Sequence, residues 1–427
     1  MLRPDGEERL QRFSATAYPP TVTEIVLGRL YHVMGYGHSN ASFIVANRSV
    51  ILIDTLDTDV RGAKLARLIA DKTAKPVKTI LYTHGHPDHL GGAGAFAESR
   101  PEIIAFAPAR PPLTRTERLG TILERRGRRQ FGYDLTDAEA ISQGIGSREG
   151  FTVGEGGRRP LPPTTVYADE EVRREIDGVE LLLCAAPGES EDQSFIWFEQ
   201  DRVLFCGDNY YGCWPNLSAI RGGQYRDVAG WIASLDRLRQ YRADALLPGH
   251  TRPIIGRDAV AEVLTNFRNA LDYVLTETLA CMDQGMGIEA TADTVTLPER
   301  YRQLPYLQEF YGTVAWSVRG IYTGYFGWFD GNPTNLNPLA PHQRALKSIE
   351  LMGGKEAVAA AVVGALRSGD SQWALELTDL LLTLDPDSAA FRRAKAAGLM
   401  DLARQETSAN GRHYYIACAK ELLDEPR

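Results

Sequence analysis

The chain has 427 residues, of which 44% are hydrophobic and 24% charged, so it is globular and too long for one ordinary core. Its formal net charge of -8 argues against nucleic acid as the main partner, because phosphate binding needs clustered Lys and Arg. No apolar run is long enough to span a bilayer, and the polar N-terminus lacks the apolar core of a secretory signal. We therefore expect a cytoplasmic protein with no membrane partner.

Strands and helices alternate in the first quarter of the chain. Residues 41–45 and 50–53 are β-rich and flank a polar turn, which predicts a hairpin. Apolar residues recur at helical spacing over 60–69, and residues 77–81 form a short apolar run typical of a buried strand. Residues 107–163 are basic, Gly-rich and aperiodic. We interpret them as a long loop insertion, and such loops often carry function.

The pattern changes in the second half of the chain. Further elements of the α/β region are predicted at 179–185, 194–198, 202–205, 228–241 and 245–247. A long helix is predicted at 258–284, and from residue 342 onward helix follows helix. We therefore predict an α/β domain over 20–265, a helical extension and linker over 266–340, and an all-helical domain over 341–427.

The strongest chemical signal directly follows the apolar run 77–81. It places four possible metal ligands within six positions, namely His84, His86, Asp88 and His89. Imidazole nitrogen and carboxylate oxygen are ligands that Zn²⁺ accepts when thiolates are absent. The four are too close together to serve one tetrahedral ion easily, which favours two adjacent ions, with His84 and His86 on one and Asp88 and His89 on the other. A histidine-rich surface turn is the alternative.

This motif, His-x-His-x-Asp-His after a strand, resembles the hallmark of the metallo-β-lactamase superfamily. The resemblance implies an αββα sandwich, two Zn²⁺ ions and three further ligands at Glu189, Asp208 and His250. Glu189 stands in a Pro-Gly-Glu context where histidine is usual, and Asp208 would bridge the two ions. The alternatives are a solvated acidic turn at Glu189, a turn-forming Asp208 and a buried structural His250. The other four histidines, among them His38, are interpreted as structural.

A pair of zinc ions held in this way would lower the pKa of a shared water and hold an anionic oxygen of the substrate. The predicted reaction class is therefore hydrolysis. Asp88 is the predicted catalytic residue as well as a ligand.

Glutamate at position 189 is similar to the alkylsulfatase branch of the superfamily. More of the chain resembles that branch, at residues 39–44, 220–227, 309–314 and 327–333 and in the helical tail. The resemblance covers nearly the whole chain. It implies hydrolysis of an alkyl sulfate ester to an alcohol and inorganic sulfate, and it makes the tail a dimerisation domain that forms a homodimer.

Four residues are predicted to contact this small anionic substrate. Arg221 and Arg226 suit a sulfate group because a guanidinium can donate two parallel hydrogen bonds, although either residue can equally be a surface ion-pair partner. Asn40 and Tyr133 are also expected to bind substrate. We expect the organic part to lie in an apolar channel lined by aromatic residues, for which the candidates are Phe131, Tyr133, Tyr210, Tyr211 and Trp214.

Two positions depart from the alkylsulfatase pattern. Asp208 stands where a second glutamate is common, and Thr251 follows His250 where a second histidine is usual. Three other hypotheses therefore stay open. They are hydrolysis of another ester, lactone, thioester or phosphodiester on the same scaffold, a non-catalytic metal-binding scaffold protein, and a two-iron redox protein, which would need a flavin partner domain that is not apparent here.

Overall fold

In the computed structural model, which describes residues 2–424, two β-sheets stack face to face with helices on their outer sides. The first sheet has seven strands in chain order: β1 (Thr21–Val26), β2 (Leu30–Met34), β3 (Ala41–Val45), β4 (Val50–Ile53), β5 (Val77–Leu81), β6 (Glu102–Phe106) and β7 (Thr165–Tyr167). The second has six, in the spatial order β13-β12-β11-β10-β9-β8: β8 (Glu171–Ile176), β9 (Val179–Ala185), β10 (Ser194–Phe198), β11 (Val203–Gly207), β12 (Ala245–Pro248) and β13 (Ile254–Ile255).

Nine α-helices lie between residues 6 and 302 of the described chain, and several of them cover the sheets or connect strands. They are α1 (Gly6–Ala17), α2 (Asp59–Ala70), α3 (Pro87–Leu90), α4 (Gly120–Phe131), α5 (Asp137–Ala140), α6 (Val228–Gln240), α7 (Arg257–Asp283), α8 (Ile288–Thr294) and α9 (Glu299–Arg302). The remaining helices are α10 (Val314–Phe326), α11 (Pro341–Leu351), α12 (Lys355–Ser368), α13 (Ser371–Leu384), α14 (Ala389–Gln405) and α15 (Ala409–Leu423).

Successive side chains of each strand point to opposite faces of its sheet, and this alternation forms the layers of the sandwich. In β3, Ile44 points between the two sheets and packs in one buried cluster with Phe198 and Leu247 of the second sheet. Its neighbour Phe43 points outward and shares a separate buried cluster with Leu65 of α2. The outer face of the second sheet is covered in the same way by α6, α7 and α10. The predicted αββα sandwich followed by helices is confirmed.

The helical tail packs against the rest of the chain. Helices α11 to α14 pack around their own apolar core. Helix α15 lies against α4, where the ring of His413 reaches the backbone oxygens of Gln130 and Ala140 at 3.1 and 2.9 Å. At the other end of the chain, Glu7 of α1 accepts a hydrogen bond from Arg412 of α15 at 2.9 Å. The tail therefore supports the segment that follows β6.

The interpretation of residues 107–163 as a loop was partly wrong, because this segment contains α4 and α5. Helix α4 has few apolar residues, so its stability comes from packing against α15 rather than from a local pattern. Helix α1 was also not predicted. By contrast, the strands predicted at 77–81, 179–185 and 194–198 have the predicted bounds.

Candidate active site

The carboxyl end of β5 delivers the His-rich segment to one edge of the sandwich. Thr83 anchors the turn, because its backbone N–H and its hydroxyl donate to the two oxygens of Asp54 at 2.9 and 2.8 Å. Pro87 then begins the single turn α3, in which Asp88 and His89 follow each other. A proline suits this first helical position because its ring fixes φ and the missing N–H has no partner there.

One group of ligand atoms forms around His84, His86 and Asp208, whose ligand atoms all lie within 4.8 Å of one another. Nε2 of His84 lies 2.9 Å from Nδ1 of His86 and 3.7 Å from Oδ2 of Asp208. Asp208 is brought here by the turn at the end of β11, the Gly-Asp context on which the family resemblance rested.

A second group forms around His89, Asp208 and His250, again within 4.8 Å. Oδ2 of Asp88 lies 3.4 Å from Nε2 of His89 and 3.3 Å from Nε2 of His250. Asp208 belongs to both groups, since its Oδ1 lies 3.4 Å from His89 and its Oδ2 3.2 Å from His250. Its carboxylate therefore connects the two groups.

The polar atoms at the centre of these groups test whether a metal fits. Among the proposed ligands, all of which lie in the described part of the chain, four buried atoms make no hydrogen bond, namely Nε2 of His89, Nε2 of His250, Oδ1 of Asp208 and Oε2 of Glu189. A buried polar atom without a partner costs about 1–3 kcal/mol, so such atoms rarely gather without a ligand. Nitrogen and carboxylate oxygen are also the donor set of zinc. The residues present fit divalent metal binding.

The charge states of the histidines follow from burial and from the carboxylates. Burial lowers the pKa of His84 well below its ordinary value and lowers the pKa of His86 to about 3. For His89, burial acts in the same direction, but Asp208 and Asp88 outweigh it and raise the pKa well above the usual range. A neutral imidazole such as that of His84 or His86 offers the lone pair that a metal needs.

The other ring nitrogen of each histidine is held by a neighbour. Nδ1 of His89 lies 2.7 Å from Oδ2 of Asp54, and Nδ1 of His250 lies 3.0 Å from the backbone oxygen of His38. Such contacts fix the ring and aim Nε2 at the centre of the cluster.

Glu189 is buried beside the two ligand groups, and one of its carboxylate oxygens accepts a hydrogen bond. Its Oε1 accepts a hydrogen bond from Arg226 at 2.6 Å, whereas Oε2 has no partner among the described residues. Burial raises the pKa of Glu189, and the Arg226 guanidinium opposes that rise. Glu189 is thus not a solvated acidic residue. Arg226, which we predicted to bind substrate, uses part of its donor capacity on this carboxylate.

A cavity of about 270 Å³ opens over the cluster. Of the predicted substrate contacts, Arg221, Arg226 and Tyr133 line it. Within residues 2–424, no carboxylate lies within 4.0 Å of the Arg221 guanidinium, which donates only to the backbone oxygen of Gly222 at 3.2 Å. The cavity therefore has a half-buried cation with unused hydrogen-bond donors.

Asn40 lies elsewhere, and the structure does not give it the predicted contact with substrate. Its side-chain amide donates to the backbone oxygens of Pro248 and Thr251 at 3.0 and 2.8 Å, so it is enclosed in protein and does not line the cavity. These two bonds hold the loop that carries His250. Asn40 acts on the site through that loop.

The expected aromatic channel is also absent from the described residues. Tyr210 packs on Phe267 in the core, and the indole N–H of Trp214 donates to Ser317 at 3.0 Å. Tyr211 is equally buried. Phe131 and Tyr133 do line the cavity, but most of its wall is polar.

Sequence reasoning missed several residues at this site, among them Gln130. His38, which we interpreted as structural, places Nε2 3.8 Å from Oδ2 of Asp88. Glu149, Arg158 and Tyr311 line the cavity. Glu149 and Arg158 come from the aperiodic segment after β6, where no spacing marked them. The only signal for His38 was its position next to the segment 39–44.

Comparison with known proteins agrees with this arrangement. The sequence model of the metallo-β-lactamase superfamily matches residues 34–250, and that of the alkyl sulfatase dimerisation family matches residues 288–425. A linear primary-alkylsulfatase of Pseudomonas sp. is 34% identical over 388 residues, which cover 89% of this chain and 73% of the relative. An (R)-specific secondary-alkylsulfatase of Pseudomonas sp. is 30% identical over 410 residues, which cover 93% of this chain and 62% of that relative.

A solved structure gives the same result for the fold. The stereoselective inverting sec-alkylsulfatase Pisa1 from Pseudomonas sp. superposes with a TM-score of 0.86 at 27% identity, and the match covers 97% of this chain and 67% of that one. This chain thus spans about two thirds of the length of the proteins it matches. The chain belongs to the metallo-β-lactamase superfamily and, within it, to the alkylsulfatase family.

Proposed function

We propose that this protein hydrolyses alkyl sulfate esters to an alcohol and inorganic sulfate with two zinc ions. One observation carries the proposal. The two ligand groups lie at the same cavity as Arg221, whose guanidinium has no carboxylate partner among the described residues. The names of the relatives, a primary and a secondary alkylsulfatase, support sulfate monoesters as the substrate class.

The proposed ligand set divides between two ions. His84, His86 and Glu189 would hold one, and Asp88, His89 and His250 the other, with Asp208 between them. When bound, zinc supplies a lowered pKa for water and a clamp for an anionic oxygen.

Side chains of the protein would bind the substrate, keep a ligand ionised and orient the water. Arg221 would hold the sulfate, because its planar guanidinium matches two oxygens of a tetrahedral anion. Arg226 would keep Glu189 ionised, since the two already share a hydrogen bond of 2.6 Å. Asp88 lines the cavity, and its Oδ2 lies 3.3 Å from Nε2 of His250, so it would orient the attacking water as well as serve as a ligand.

The test is sulfate release from a panel of primary and secondary alkyl sulfates, with matched phosphate esters alongside. Wild-type protein with two zinc ions per chain should release sulfate, and Asp88→Ala should be slower by at least ~10³-fold. Faster release of phosphate would favour a phosphoesterase on the same scaffold. Two bound zinc ions with no turnover of any ester would favour a metal-binding scaffold protein.

We also propose a homodimer formed through the helical tail. The tail matches the dimerisation family, and several large apolar side chains between the start of α11 and the end of α13 are exposed in the single chain, namely Leu346, Leu351, Met352, Val363 and Trp373. Exposed apolar residues gathered in one region are typical of an interaction surface.

We propose that the protein works in a reducing compartment such as the cytoplasm. All five cysteines are free thiols, and four of them are buried. Oxidising compartments favour disulfides, so the free thiols support this location. Within residues 2–424, no helix has both the length and the apolarity needed to cross a bilayer.

A further inference from the structure

We infer that the sulfate ester taken by this cavity has a short organic part that carries a hydroxyl or a similar hydrogen-bonding group. The inference rests on the proposed function and narrows its substrate class. It is carried by the size of the cavity, by the polar wall that the segment after β6 contributes, and by an amide donor that has no partner.

The size of the cavity limits the organic part. Its volume is about 270 Å³, below the roughly 300–1,000 Å³ of pockets that enclose drug-sized ligands. Among its lining side chains only Pro87, Phe131 and Ile145 are fully apolar. That surface suits a few carbon atoms and does not form a channel for a long alkyl chain.

Three side chains of the segment after β6 form the polar wall. The hydroxyl of Tyr133 donates to Oε1 of Glu149 at 2.9 Å, and Arg158 donates to the Tyr133 oxygen at 3.0 Å and to Oε2 of Glu149. Glu149 is only 4% exposed. Because Arg158 and Glu149 offset each other's charge, the wall offers acceptors and donors rather than net charge. An alkyl chain against it would remove water from these groups and replace no hydrogen bond.

Gln130 supplies the unpartnered donor. Its Oε1 accepts from the backbone N–H of Arg221 at 2.7 Å, which fixes the amide beside the proposed sulfate position. Its Nε2 is fully buried and makes no hydrogen bond within the described residues, although Gln130 lines the cavity. A hydroxyl oxygen of the substrate would satisfy this donor, whereas an unsubstituted alkyl chain would leave it orphaned.

A larger groove of about 580 Å³ is the competing place for a long tail. It shares His86, Glu189, Arg221 and Arg226 with the cavity, so a tail could leave the site through it. Its wall, however, carries the ion pair between Arg110 and Glu191. The wall of the groove is therefore charged as well. The experiment must distinguish an organic part bound in the cavity from one that extends into the groove.

The first experiment compares kcat/KM for sulfate release from propyl, 3-hydroxypropyl and decyl sulfate with the zinc-loaded protein. The hydroxypropyl ester should exceed the propyl ester by at least ~10-fold, and decyl sulfate should gain nothing over propyl. A steady rise of about 4-fold for each added methylene, the value for full apolar burial, would overturn the inference and leave the proposed function standing. Failure of all three esters would instead overturn the proposed function.

The second experiment uses variants of the wall. Gln130→Leu and, as a milder change, Tyr133→Phe should each reduce the hydroxypropyl-to-propyl ratio by at least ~3-fold, mainly through KM for the hydroxypropyl ester. Thr323→Trp is the matched control, because Thr323 is exposed and lines only the groove. It should leave the ratio unchanged. An unchanged ratio in both wall variants, or a loss of decyl sulfate turnover in Thr323→Trp alone, would contradict the inference.

Discussion

Arg226 donates to Oε1 of Glu189 at 2.6 Å, and the two side chains are only 11% and 3% exposed. The sequence had assigned these residues to different tasks, one to the substrate and one to the metal. A buried carboxylate without a cation nearby tends to take up a proton, because burial disfavours its charged form. The pair therefore connects the position of the proposed sulfate group with the charge of a proposed ligand.

Removing this guanidinium is the first prediction. Arg226→Gln should lower the zinc content from two ions toward one per chain, and it should destabilise the fold by about 3–5 kcal/mol because a buried charge loses its partner. Zinc per chain is measured by elemental analysis and stability by urea unfolding. Arg125→Gln, on the exposed side of α4, is the control. Two zinc ions retained in Arg226→Gln would contradict the prediction.

The carboxylate behind His89 gives the second prediction. Three donors converge on the two oxygens of Asp54, from the N–H and hydroxyl of Thr83 and from Nδ1 of His89. Asp54→Asn places an NH₂ group against one of these donors whichever way the amide turns. Zinc affinity should fall by about 10–100-fold, measured by competition with a chelator.

Asp71→Asn is the matched control for this change, since Asp71 is exposed at the end of α2. It should bind zinc like the wild type. Equal zinc affinities for Asp54→Asn and the wild type would mean that metal binding by His89 does not depend on the Asp54 carboxylate.

The third prediction concerns Arg221. Its guanidinium is half-buried and has no carboxylate partner among residues 2–424, so a sulfate group would gain charge-assisted hydrogen bonds there. Arg221→Ala should raise KM for an alkyl sulfate by about 10–100-fold and weaken inhibition by inorganic sulfate to the same degree. Arg221→Lys should recover only part of the loss, because it cannot donate in parallel to two oxygens. Unchanged inhibition by sulfate in Arg221→Ala would exclude this role.

Acid stability gives the fourth prediction. Burial lowers the pKa of His32 to about 3, and this residue takes no part in the site. In the unfolded chain His32 binds a proton below about pH 6.5, whereas in the folded chain it stays neutral down to about pH 3. The stability that depends on neutral His32 is therefore fully present above pH 6.5 and is lost as the pH falls toward 3.

His32→Asn should therefore reduce the slope of unfolding free energy against pH between about pH 4 and 6 by up to ~1.4 kcal/mol per unit. Urea unfolding at several pH values measures the slope. The exposed His342 provides the control, since His342→Asn should keep the wild-type slope. Equal slopes in all three proteins would show that His32 is not neutral in the fold.

The sequence predicted four of the proposed ligands, His84, His86, Asp88 and His89, because their spacing is local, whereas the family resemblance implied the other three. His84 to His89 lie on one turn, and Asp208 and His250 each follow a strand whose apolar run ends at the same edge of the sandwich. The position of a ligand after a strand is therefore readable without knowing which elements touch.

Side chains whose direction depends on distant contacts were not predictable in this way. Asn40 turns toward Pro248 and Thr251, more than 200 positions along the chain, and no local pattern indicates that. Helix α4 and the wall residues Glu149 and Arg158 depend on packing against α15 and on one another. Periodicity carries no information about such partners.

The helical tail gives the last prediction, on the proposed homodimer. Trp373 and Leu351 are 44% and 89% exposed in the single chain, and both lie in the part that matches the dimerisation family. If this surface is the interface, Trp373→Glu with Leu351→Glu places two charges in an apolar contact and should raise the dimer dissociation constant by at least ~100-fold. Sedimentation measures the mass, and Lys347→Glu, an exposed charged position of α11, controls for added negative charge. Because the cavity lies within one chain, the monomeric double variant should keep its zinc content, and an unchanged dimer would place the interface elsewhere.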